Sequence, residues 1–106
     1  MSQISKVLRD VENDGLMFYC PGCQCPHIVH HGPGLPPRWE WNGDVYLPTF
    51  HPSVKVTWPA NPNASDDFKE WRAERTCHSY ITNGLIKFLS DCTHALANQT
   101  VPLPEW

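Results

Sequence analysis

Charge is scarce in this chain, and so are the short motifs that usually announce a catalytic site. Only 18 % of its 106 residues are charged, eight Lys and Arg against eleven Asp and Glu, and the basic residues form no stripe able to neutralise a phosphate backbone. Nucleic acid is therefore not an expected partner. No apolar run is long enough to cross a bilayer, and the opening MSQISKVLRDVENDG lacks the apolar stretch of a signal peptide, so the expectation is a soluble cytoplasmic protein without a membrane partner. Also missing are a nucleophile elbow, a phosphate-binding loop, a paired-carboxylate motif, internal repeats and low-complexity tracts. Glycine is sparse at six residues, yet eleven prolines interrupt the backbone and leave room only for short elements.

What is present suits a packed core. Hydrophobic residues make up 41 % of the chain, five of them Trp, and this length holds one domain, 1–106. Ile4, Val7, Leu8 and Val11 recur at helical spacing, with Ser2 as a cap and Gly15 as a stop, which predicts a short amphipathic helix over 1–15 appended to a core of 16–106. Leu16 to Cys20 and His27 to His31 read as two strands of a hairpin whose turn is cysteine-rich. Trp39 and Trp41 alternate before an Asn42-Gly43 turn signal, and Ser53 to Trp58 predicts a further strand. A second short helix is predicted in SDDFKEWRAER, capped by Ser65 with Asp66 and Asp67 in its first turn. TCHSYITNGLIKFLSDC is the clearest hairpin, with Asn83-Gly84 at the centre of a type I′ turn.

Five cysteines, an odd number in a reducing compartment, point to metal ligands or inert core residues before disulfides. Cys20-Pro21-Gly22-Cys23 is a turn in which Pro and Gly let both thiolates face one ion, and the Cys25-Pro26 that follows speaks against a thioredoxin-type redox motif. In the late hairpin, pairing of Thr82 with Leu85 sets Ile81 against Ile86 and Ser79 against Phe88, and carries Cys77 and Cys92 onto one face with His78 on the other. The metal set is thus Cys20, Cys23, Cys77 and Cys92 around Zn2+, with His94 as the alternative to Cys92 and His78 as the alternative to Cys77. The gap between the first pair and the second is far longer than in a compact zinc ribbon, so the fold must bring them together. Cys25 is the spare thiol.

His78, Asp91 and His94 are catalytic types gathered at one hairpin base. The simpler reading makes Asp91 a cap and the histidines supports of the zinc site, so no catalytic residue is assigned. His30 and His31 flank a Gly-Pro loop and read as exposed residues, not ligands, and His51 reads as a loop residue. Trp106 either docks onto the body or sits in an interface, which leaves homo-oligomerisation open.

The stretches YCPGC, WNGD with PTFHPS, and CHSYITNGLIKFLSDCTHALANQTVPLPEW resemble a family of small uncharacterised phage and prophage proteins, some carrying a misleading ammonia monooxygenase label. The resemblance spans roughly 16–106 and implies phage origin and a compact metal-binding domain, with no activity attached. Cys25-Pro26 and Asn98, where the family more often has Gly, depart from its pattern. The fold expected is α+β, a small, mostly antiparallel sheet of hairpins with one or two short helices and a zinc knuckle. The functional reading is a non-enzymatic, phage-encoded zinc-binding accessory protein that binds a host protein in the host cytoplasm, to counter host defence. Its rivals are a metal-dependent hydrolase using His78, Asp91 and His94, and a virion or assembly component.

Overall fold

Antiparallel pairing between neighbours in sequence builds almost all of the structure, a computed structural model that describes residues 2–106 and, apart from Ser2 and Glu70, their side chains. One sheet is a meander of β1 (Ser2–Gln3), β2 (Arg9–Val11), β3 (Gly15–Cys20) and β4 (Cys25–His30). The other runs in chain order through β5 (Glu40–Trp41), β6 (Phe50–Trp58), β7 (Arg75–Thr82), β8 (Leu85–Phe88) and β9 (Thr100–Pro102). A parallel bridge between His31 and Trp39 links the end of β4 to the start of β5.

The α+β expectation is corrected by this architecture. Strands make up 43 % of the chain and helical segments 6 %, so the fold is closer to all-β. The helix expected over 1–15 is a hairpin instead. Leu8 is fully buried while Ile4 is at the surface, so the apolar stripe does not act as one face. The Ser5 hydroxyl accepts the Val7 and Leu8 N–H groups, and the Leu8 carbonyl accepts those of Ile4 and Ser5, which closes the turn between β1 and β2. Asn13 and Asp14, both at positive φ, then turn the chain into β3. The second predicted helix is a 3-10 segment, Asp66–Arg72, broken where Phe68 leaves helical geometry. Its Ser65 makes no capping hydrogen bond. Trp106 docks onto the N-terminal hairpin, its indole donating to the Val7 carbonyl at 3.1 Å with the Arg9 guanidinium over its ring.

The β7–β8 hairpin follows the expected register, Thr82 with Leu85, Ile81 with Ile86 and Ser79 with Phe88. Alternation sends Cys77, Ser79, Ile81, Ile86 and Phe88 inward and Tyr80, Leu85 and Lys87 outward. Phe18 of the first sheet stacks on Phe50 of the second at 6.3 Å, and Leu8, Val29, Ile81, Ile86 and Phe88 close the core around them. Pairing of β6 with β7 is interrupted once: between Phe50, opposite Ile81, and Val54, opposite Ser79, β6 carries His51, Pro52 and Ser53 where β7 has only Tyr80. This bulge re-aims Ser53. Among the described residues no helix is long and apolar enough to cross a membrane.

Asn83 and Gly84 both lie at positive φ, and a Cβ on Gly84 would come within 3.2 Å of the Leu47 backbone. Gly84→Ala is therefore expected to cost about 1–2 kcal/mol from conformation and crowding together. Thermal unfolding should show a Tm lower by roughly 4–8 °C per kcal/mol. An unchanged Tm would mean that this turn does not constrain the second sheet.

Candidate active site and metal centre

The turn from β3 into β4 curls tightly because Gln24, at positive φ, donates its N–H to the Cys20 carbonyl at 2.8 Å while the Cys23 N–H points at the Cys20 sulfur at 3.4 Å. The two thiols thereby face one point. Across the core, the inward side chain of Cys77 on β7 brings its sulfur 3.7 Å from that of Cys20. His94, from the loop after β8, completes a group whose ligand atoms all lie within 4.8 Å of one another. Cys20, Cys23, Cys77 and His94 can hold a metal ion. Sulfurs at adjacent corners of a tetrahedral zinc site, with Zn–S of about 2.3 Å, lie about 3.8 Å apart, close to the Cys20–Cys77 spacing.

Two observations independent of that spacing fit an ion. The His94 Nε2 is buried and has no hydrogen-bond partner, while Nδ1 lies 3.2 Å from the Leu96 nitrogen, so Nε2 is the nitrogen left for an ion. Gly22 is the only residue type that lets the ring approach, since a Cβ there would sit 2.3 Å from its Cε1. The three thiols also act on one another's protons. Donation from the Cys23 thiol, and next from Cys77, holds Cys20 far below the usual thiol range. Donating to Cys20 pushes Cys23 up to about 12 and Cys77 upward as well. Three crowded thiols ionise together only if a cation replaces their protons. Burial lowers the His94 pKa, which favours the neutral ligand form.

On the opposite face of the same strand lies a second constellation. His78 alternates outward next to inward Cys77, and its Nε2 is 2.8 Å from the Ser53 Oγ that the bulge presents. Its Nδ1 is 3.1 Å from Asp91 Oδ2, and Lys55 approaches the same carboxylate oxygen at 4.0 Å. Hydroxyl, imidazole and carboxylate therefore stand in the order of a serine hydrolase triad: a nucleophile, a base in contact with it, and a carboxylate fixing the base's tautomer.

The residues read from sequence thus divide between two sites. Cys20, Cys23 and Cys77 come together with His94. Cys92 lies outside that group; its thiol accepts the His78 N–H at 3.2 Å and donates to the His78 carbonyl at 3.1 Å. Cys25 sits opposite Cys20 in the strand pair, outside the group. His78 and Asp91 join Ser53, while His94 is with the thiols, so the three do not form one centre. Ser53 was the residue missed by sequence reasoning. The only signal for it was its place in PTFHPS, because nothing local brings Ser53 to His78.

A protein-family model described as bacterial ubiquitination-like system serine protease (BubE) matches residues 2–89. The matched span includes Ser53 and His78 and ends just before Asp91 and His94. No curated protein and no solved structure matches the chain. The match names a bacterial system, and it lends no support to the phage origin or host-protein binding expected from sequence.

Elemental analysis of protein never exposed to chelator should find about one transition-metal ion per chain. Cys23→Ser and His94→Ala should lose most of it, whereas Cys25→Ser and Cys92→Ser should keep it. Loss in Cys92→Ser equal to that in His94→Ala would overturn His94 as the fourth ligand.

Proposed function

The chain belongs to the BubE family, and from that membership together with the Ser53–His78–Asp91 geometry we propose that it is a serine protease of a bacterial ubiquitination-like system, with zinc as its structural ion. The carrying observation is the continuous hydrogen-bonded line from Ser53 Oγ through both nitrogens of His78 to Asp91. Its substrate is the ubiquitin-like protein of such a system, cleaved in the chain leading to its C-terminus, where attachment chemistry occurs.

In this reading His78 Nε2 removes the Ser53 proton as Oγ attacks the scissile carbonyl carbon. Asp91 keeps the remaining proton on Nδ1 and stabilises the imidazolium. Collapse of the tetrahedral intermediate breaks the C–N bond, and His78 passes its proton to the departing amine, leaving an ester on Ser53. Water, deprotonated by His78, hydrolyses that ester, and the serine recovers its proton. Cys20, Cys23, Cys77 and His94 would hold the zinc, which would supply a cross-link between the two sheets and no step of the reaction. With four protein donors grouped there, a zinc ion would have no position left for a water, which argues against a metal-dependent hydrolase.

A fluorophosphonate probe should label the purified protein at one serine, mapped by mass spectrometry to Ser53. Ser53→Ala should abolish labelling and cleavage of the ubiquitin-like protein, and Asp91→Asn should slow cleavage by about 10²–10⁴-fold. Labelling that persists in Ser53→Ala would defeat the assignment.

A further inference from the structure

Past the proposed nucleophile, among the described residues, β6 pairs with β7 alone. β5 pairs with it at Glu40–His51 and Trp41–Phe50, and among the described residues no strand lies along its outer edge beyond that point. The direction of each backbone group there follows from the opposite strand. On β7, His78 donates its N–H to Cys92 and its carbonyl accepts the Leu89 N–H at 2.9 Å; Thr76 likewise exchanges bonds with Thr93. Both residues therefore turn their backbone groups away from β6. Lys55 and Thr57, their register partners, belong to the pairs without mutual bonds and direct their own N–H and C=O groups to the outer edge.

That edge starts at the active site. Ser53 has the same parity, and its carbonyl accepts the Trp39 indole N–H at 3.2 Å, so Trp39 closes the edge at Ser53 and leaves it open from Lys55 onward. Lys55 and Thr57 are both exposed, and no proline or second bulge protects them.

Resting on Ser53 as nucleophile, we infer that the substrate binds as an added strand on the outer edge of β6, held by the backbone groups of Lys55 and Thr57. The occupant is an extended, unfolded peptide, because only a chain with its own N–H and C=O groups free can pair with an edge. Where it meets Trp39 it leaves the sheet beside the Ser53 Oγ, which delivers its carbonyl to the nucleophile. Selectivity then lies first in accessibility: a flexible tail is cut, and a bond inside a folded domain is not.

Proline tests the inference, since it is tolerated where a strand N–H faces outward but cannot donate. Thr57→Pro should keep the wild-type Tm and fluorophosphonate labelling rate within about twofold, while raising KM for a synthetic tail peptide of the ubiquitin-like protein by roughly three- to tenfold, one hydrogen bond's worth. A scan of that peptide with single N-methyl groups should show losses at alternate positions, the period of a strand, and this readout holds even if the variant folds poorly. Unchanged KM in a folded Thr57→Pro, or N-methyl losses without alternation, would overturn the docking mode. A dimer dissociated by Thr57→Pro would assign the edge to a second copy and overturn it as well. Absence of labelling at Ser53 would instead remove the protease reading itself, and this inference with it.

Discussion

The contact between Cys20 and Cys77 ties the two sheets together across the core. The residues are 57 apart in sequence, and joining such distant segments carries a loop-closure cost that local hairpins do not meet. Hydrophobic stacking of Phe18 on Phe50 adds a second link between the sheets. At the knuckle the link is sulfur to sulfur, and three crowded thiols favour one ionised group at most until a cation arrives. The expected consequence is that metal and core form together: the ion neutralises thiolates that would otherwise repel, and the fold supplies the geometry that no short stretch of sequence contains.

Strand alternation then links that tie to the geometry of the proposed triad. Cys77 and His78 are adjacent, so one points into the core and the other out of it, and fixing the first fixes the second. The same holds more loosely for Asp91 and His94, three residues apart on the loop after β8. Between them the Cys92 thiol takes over the role of a β8 backbone that ends at Phe88, bonding both polar groups of His78. Of the proposed triad, His78 is thus held beside Cys77 of the candidate metal cluster, and Asp91 beside the Cys92 that bonds the His78 backbone. The third, Ser53, is positioned by the bulge in β6, which rotates its hydroxyl towards His78.

Much of this was legible where geometry is local. Asn83-Gly84 dictates a two-residue turn, and period two then fixes the register from Thr82 and Leu85 as far as Ser79 and Phe88. Extending the ladder to Cys92 goes astray because pairing stops at Phe88 and the loop that follows obeys no period, so the thiol caps His78 and His94 turns to the cluster. The helical stripe of Ile4, Val7, Leu8 and Val11 misled for a related reason: hydroxyl and carbonyl bonds around Ser5 and Leu8 offer a tight turn, and pairing with β3 rewards an extended β2. Ser53 lay beyond local reasoning altogether, since its meaning depends on a residue in another strand.

The placement of the proposed triad also keeps it apart from the candidate metal centre. A catalytic imidazole needs access to water and substrate, whereas a structural thiolate cluster is safest when shielded from both. Cys77 is buried and His78 is only partly so, and a single peptide unit separates the two environments. Moving the imidazole one residue along β7 would place it among the thiols as a further ligand; moving the thiol would place it beside Ser53. Because the side-chain period of a strand is two, the Cys77-His78 pair can serve both candidate sites only in the observed register, and the Asn83-Gly84 turn that sets this register constrains the candidate metal centre and the proposed triad together.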